Sequence, residues 1–234
     1  MGIITRSYFE AGETMIANAV DLAPNSDLLG NGVSLDQFSA KYERVVLTRL
    51  FGYDLYSEFK LQFDIDAATG LWTLKASAIG TKWDQLLNGY SYFVSGEKVR
   101  WMGLIFADGG TNDPLQQSLL AQYIYARFLE ATAFQNTGIG MSAAQGKNTK
   151  RVSANADIAI ADNDFYAMAI GNRHNRRNSN RGMWEFEGYY SLLFADDGIR
   201  SLYDFLSDMN NEDPTNFPNW KKSEYFKLEN RLGL

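Results

Sequence analysis

Residues 171–182, GNRHNRRNSNRG, gather four arginines, Arg173, Arg176, Arg177 and Arg181, with the chain's only histidine, His174, in a stretch that holds no acid. Guanidinium groups grouped in this way bind anions, either phosphates or the carboxylates of another chain. On a helix, Arg173, Arg177 and Arg181 would recur at i, i+4 and i+8 with Arg176 beside them, and Trp184 would follow on the same face. Like charges at that spacing repel unless anions lie between them. The alternative is a solvated loop, favoured by Gly171, Asn172, Asn175, Asn178 and Asn180, all poor helix formers. The whole chain sets 22 Lys and Arg against 28 Asp and Glu, a net charge of -6. Sequence-independent DNA affinity comes from a basic surface, so this balance argues against DNA binding as the main function. It leaves a local phosphate contact, or pairing with acidic groups of a neighbouring subunit, which an acidic homo-oligomer supplies automatically.

Other reactive constellations are missing. A single histidine excludes metal sites built on paired imidazoles and most histidine dyads, and the absence of cysteine removes thiolate nucleophiles, disulfides and sulfur-based zinc sites. A cysteine-free chain of 234 residues also fits synthesis in a reducing cytoplasm. The segment MSAAQGKN departs from a phosphate-binding loop, with Met141 at the first glycine position and Asn148 where a magnesium-binding hydroxyl belongs. DIDAATGLWTLK begins like a calcium loop, but Thr69 takes the glycine position and Lys75 that of the bidentate glutamate, so a hairpin turn is expected. The carboxylates of DNDF (162–165) and ADDG (195–198) fall where helix N-caps are expected. No catalytic residue, metal ligand or cofactor is expected, and no motif supports a hydrolase built on carboxylates alone.

The elements around these segments follow from periodicity and capping. Ser34 and Gln37 have capping-box spacing before an apolar stripe of Leu35, Phe38, Tyr42, Val45, Val46 and Leu50. Gly52 ends that helix, and a shorter one fits Leu55, Tyr56 and Phe59. The period then shortens: LQFDID and GLWTLKA flank AATG as one hairpin, and YSYFVSGEKVRW folds about Ser95-Gly96 as a second, with a single helical turn in TKWDQLLNG between them. A long helix opens at Asp113 and Pro114 and presents Leu115, Leu119, Leu120, Tyr123, Ile124 and Phe128; apolar over more than half its circumference, it belongs in the centre of the core. Residues 136–156 are small and polar and read as a long exposed loop. A helix is expected from about Asp162, and another over DDGIRSLYDFLSDM with Ile199, Leu202, Tyr203 and Leu206 in register.

The fold class is therefore mainly α (α+β): a small helical bundle with one or two β-hairpins, a long loop and an extended C-terminal tail. One domain is expected over residues 1–209, with residues 210–234 as the tail. That tail carries two prolines and no sustained period, yet holds Phe217, Trp220, Tyr225 and Phe226. Such anchors either pack back on their own domain or dock on another chain. The N-terminal MGIITRSYFE shows no secretory signal and misses the myristoylation pattern at Arg6, and no run of about 18 apolar residues is present to span a membrane.

In succession, KYERVVLTRLFGYDLYSEF, KWDQLLNG, a hairpin ending VRWMGL, and QYIYARFLEAT followed by a Gly-rich loop resemble the head-to-tail connector (adaptor) proteins of tailed bacteriophages. The similarity runs over about residues 33–145, and Lys82-Trp83, Asn88-Gly89 and Trp101, Gly103 and Leu104 are its most distinctive pieces. What it implies is a mainly helical domain that assembles as a ring, commonly of twelve copies, beneath the portal protein at the capsid vertex. The ring would extend the DNA channel and offer the tail, or the next neck protein, a docking surface, with no catalysis. The location implied is the neck of the virion, after synthesis in the host cytoplasm. Contacts with portal, neighbours and tail would fall to the 136–156 loop and the 210–234 tail, while residues 60–80 and 171–190 look additional to a minimal connector.

On this basis the arginines face acidic groups of an adjacent subunit or of the portal in preference to DNA, because a channel that lets DNA slide should avoid strong phosphate binding. A tail-completion or other neck ring protein is the close alternative. A nucleic-acid-binding module using Arg173 to Arg181 is the more distant one.

Overall fold

Ser34 starts the longest helix by the mechanism its sequence predicts: its hydroxyl accepts from the Gln37 amide at 3.2 Å, and its own amide donates to the Gln37 side chain at 3.3 Å. The computed structural model describes residues 2–10, 14–16, 19, 34–105, 118–133, 135–137, 140–142, 154–171 and 198–220. Helix α1 spans Leu35–Lys60 and kinks at Gly52, whose φ of 77° and ψ of 167° no helix accommodates. The two predicted helices thus follow one another across this break. Leu35, Phe38, Val46, Leu47 and Leu50 are buried before the break, and Leu55, Tyr56 and Phe59 after it.

Both predicted hairpins form. Strands β1 (Phe63–Ile65) and β2 (Trp72–Leu74) pair antiparallel around the Asp66 turn. There the Asp66 carboxylate accepts from the amides of Ala68 and Thr69 and from the Thr69 hydroxyl, which hold its pKa below the usual value. These bonds make the calcium-like DIDAATG segment a turn. Helix α2 (Lys82–Asn88), capped by Thr81, is longer than the single turn expected. It leads into β3 (Tyr90–Val94) and β4 (Glu97–Trp101), which turn through Ser95 and Gly96, at φ of 53° and 87°.

The central helix is α3, described over Leu119–Ala133. Leu119, Leu120, Tyr123, Ile124 and Phe128 are all buried, along with Ala121, Gln122 and Arg127, so it is enclosed on nearly every side. It packs against α1 and against α4. The start predicted at Asp113 lies outside the described residues.

Three expectations are corrected. The 136–156 stretch is not one continuous loop: β5 (Gln135–Thr137) and β6 (Gly140–Ser142) pair as a hairpin, and α4 runs Ala154–Ile170. Asp162 is consequently inside α4 and caps nothing. Its Ala-rich first half has no apolar stripe because alanine adds little contrast between faces, which hides the start. The helix expected from Asp196 begins six residues later. Gly198–Arg200 forms β7, parallel to β4 with Arg100 opposite Ile199, and Ser201 caps α5 (Leu202–Glu212) through the Asp204 amide.

The boundary expected at 209 falls inside α5. Helix α5 continues to Glu212, and residues 213–220 fold back on the core. The resulting architecture is mainly helical α+β, as the patterning predicts, with small sheets on one core.

Candidate functional site

The described residues with the most distinctive chemistry meet where α2, the β3–β4 hairpin and the returning chain end converge. Trp83, 8% exposed, stands in the first turn of α2, and its ring meets Phe59 and Phe217. The Trp101 indole donates to the Leu86 carbonyl at 3.0 Å, and its ring stacks on Phe205. Beyond Trp101 the chain runs back along α2: the Leu104 amide donates to the Leu86 carbonyl and the Ile105 amide to that of Leu87. These bonds satisfy carbonyls at the C-terminal end of α2 that the helix itself leaves open.

Gly89 and Gly103 allow this approach. Their φ values are 91° and 97°, and a methyl group on Gly103 would lie 2.6 Å from the Leu87 carbonyl oxygen, one on Gly89 2.7 Å from the carbonyl oxygens of Trp101 and Met102. Each glycine is pressed against the backbone beside the other. Lys82-Trp83, Asn88-Gly89 and Trp101, Gly103 and Leu104, separate in sequence, thus belong to one packed junction.

Lys82 ties the chain end to it. Its ammonium group donates to the carbonyls of Thr215 and Asn216 and lies 5.2 Å from the centre of the Trp83 ring and 5.3 Å from that of Phe217. Burial lowers its pKa, and the carboxylates of Glu58 and Asp213 oppose the shift.

Phe217, expected as an anchor for another chain, is fully buried in its own domain, against Trp83 and Phe205. Asn210 fixes it, accepting from the Phe217 amide at 2.8 Å and donating to its carbonyl at 3.1 Å. Trp220 packs on Tyr203 and donates from its indole to the Leu50 carbonyl at 3.3 Å. Own-domain packing, one of the two readings of these anchors, thus accounts for the burial of Phe217, while Trp220 is only partly buried. Tyr225 and Phe226 lie outside the described residues, as do Arg173, Arg176, Arg177 and Arg181.

The 60–80 segment, expected as additional material, is mostly exposed or half-buried but is anchored to the core through Phe63 and Ala78. Phe63 is 5% exposed, meets the Phe59 ring edge-on and the Trp72 ring at a tilt, and the Trp72 amide donates to the Gly2 carbonyl.

Two polar groups lie beneath the surface with no signal in the sequence to mark them. Glu43, 2% exposed on α1, accepts from the amides of Ile3 and Ile4, and burial pushes its carboxyl up to about 7. Arg127, 6% exposed on α3, pairs with Glu130 at 2.7 Å and with Asp162 of α4, and lies over the Tyr123 ring. Asp162 is the better-shielded of its partners, so Asp162→Asn should lower unfolding free energy by about 1–3 kcal/mol in urea titration. Glu130→Gln, at a more exposed side chain, should cost under about 1 kcal/mol.

A third cluster joins Tyr92 to Asp208 through a 2.9 Å hydrogen bond, with the Arg200 guanidinium 3.4 Å from the same carboxylate oxygen. Burial, then the Asp208 charge, raises the Tyr92 pKa well above the ordinary phenol value. The phenol is therefore a fixed donor that ties β3 to α5. Among the described residues, no three or more His, Asp or Glu side chains are placed to hold a metal ion, and no helix is long and apolar enough to cross a membrane.

Comparison with protein-family models, with curated proteins and with solved structures gives no match to the chain.

Proposed function

We propose that the protein is a structural, non-catalytic virion component: a head-to-tail connector (adaptor) that forms a ring between the portal and the tail of a tailed bacteriophage. The observation that carries this proposal is the junction of α2 with the β3–β4 hairpin. The residues that make the resemblance distinctive are the ones that close this junction, with Gly89 and Gly103 in mutual backbone contact and Trp101 bonded to Leu86. Their succession is thus a packing requirement of one fold, and α1 and α3, which flank it in the resemblance, lie in the same core.

Large apolar side chains that remain exposed fit a subunit with neighbours. Tyr53 and Phe93 are 74% and 71% exposed, and Leu61 and Ile79 are 69% and 65% exposed. A cyclic ring presents two different surfaces per subunit and would cover groups of this kind. The arginines at 173, 176, 177 and 181 would face acidic groups of an adjacent subunit or the portal, and the segment beyond Trp220 would carry the remaining partner anchors, Tyr225 and Phe226.

The test is native mass spectrometry of the purified protein, alone and mixed with the portal protein of the same genome. The expected result is a complex of the portal with a full ring of this chain, whose mass gives the copy number. A chain that stays unbound would overturn the portal-adaptor assignment in favour of another neck position.

A further inference from the structure

Residues 2–9 form a strap that is bonded to α1 and packs against α3 through residues 6–9. Ile3, Ile4, Tyr8 and Phe9 are buried, with Ile4 and Phe9 at 1% and 0% exposure, and Arg6 pairs with Asp36 of α1. The Gly2 carbonyl accepts from Trp72 of β2, so the strap bridges α1 and the first hairpin. At its centre is one side chain. The two carboxylate oxygens of Glu43 each take one main-chain amide, Ile3 at 3.0 Å and Ile4 at 2.9 Å, some forty residues away in sequence. Gly2 presses on the same group: a methyl there would collide with the Glu43 carboxylate.

We propose that this segment is a detachable strap latched by Glu43, and that its opening is governed by the charge on that carboxylate. The inference is independent of the neck-ring assignment.

A buried carboxylate with two amide donors is poorly compensated for the loss of water. Among the described residues no Lys or Arg side chain bonds to it. The titratable groups around it are the Tyr8 phenol from the strap and the Tyr56 phenol from the second half of α1. Both rise in pKa, chiefly by burial; the Arg44 charge on α1 opposes the rise at Tyr56 and Glu43 adds to each, so both stay neutral while Glu43 titrates. The chain's amino-terminal charge and the two amides oppose the shift at Glu43, and burial outweighs them.

The sign follows from the two states of the latch. Docked, the carboxyl ionises at about 7; released into water it returns to its ordinary 4.5. Docking is therefore favoured below the released value and weakens as pH rises through the docked one. Between pH 5.5 and 8 the strap's closing equilibrium should fall by about thirtyfold. Opening uncovers the apolar surface beneath four buried side chains, which would otherwise be sealed from any partner.

Amide hydrogen exchange on the full chain, corrected for the intrinsic pH dependence of exchange, tests this directly. The Ile3 and Ile4 amides should be less protected than Leu120 and Ile124 of α3, and their protection should drop by about thirtyfold from pH 5.5 to pH 8. Glu43→Gln should remove that pH dependence. Gly2→Ala, which crowds the carboxylate, should lower protection at both pH values and keep the slope. Protection of Ile3 and Ile4 equal to that of α3, or flat with pH, would overturn the proposal, as would an unchanged slope in Glu43→Gln. Should Glu43→Gln fail to fold, the wild-type profile alone decides.

Discussion

Replacing Phe217 by alanine should cost about 3–5 kcal/mol of unfolding free energy, although only seventeen residues of the sequence follow it. Its ring is fully buried, meets Trp83 edge-on at 5.6 Å between centroids, and lies under the Lys82 ammonium. Truncation would empty the space between α2 and α5 and strip Lys82 of one of its two aromatic faces. The surrounding groups cannot readily collapse into the gap, because Asn210 clamps the backbone on both sides of the residue and Asn216 donates to the Met209 carbonyl. Urea unfolding should show a lowered midpoint with an unchanged slope. A chain that stops after Trp220 provides the contrast. It retains every bond just described, so Phe217→Ala should cost as much in the shortened chain as in the full one. If Phe217→Ala is as stable as the parent, the return of residues 213–220 onto the core is wrong.

That contrast marks the limit of what the sequence made legible. Phe217 and Trp220 were visible as anchors, but local pattern does not say which surface an anchor meets, and the prolines around them suggested a tail. The capping box at Ser34, the break at Gly52 and the Ser95-Gly96 turn were legible because each is decided by residues within a few positions of one another. Strand β7 was not. Three residues give no period, and its partner β4 is about a hundred positions away, so the acidic pair before it resembled a helix start while the true cap was Ser201. Glu43 was hidden for the same reason. Flanked by Tyr42 and Arg44 it looks like a solvated helix position, and only the return of residues 3 and 4 buries it. The members of the α2–hairpin junction stand out in the sequence only as the distinctive pieces of a resemblance, which does not give the physical cause of their spacing.

That cause yields the second large effect. Gly103→Ala should destabilise the protein by on the order of 4 kcal/mol or more, which sums a positive-φ penalty of about 1–2 kcal/mol and the displacement of packed backbone. The added methyl would lie 2.6 Å from the Leu87 carbonyl oxygen and 2.7 Å from the Gly89 nitrogen, and these atoms are main chain, with no rotamer to move away. Nor can the two segments separate cheaply, since the amides of Leu104 and Ile105 are bonded to Leu86 and Leu87, and the Trp101 indole to Leu86 as well. Gly80→Ala isolates the conformational part: Gly80 has φ of 74° with open space around it, so it should lose only about 1–2 kcal/mol. Thermal or urea unfolding of the two variants side by side gives the difference, which is the energy of the close approach. If Gly103→Ala is no worse than Gly80→Ala, the helix and hairpin are not in backbone contact. The spacing of Asn88-Gly89 from Trp101 and Gly103 would then lose its physical reason, and with it the main support for assigning this chain to a connector fold.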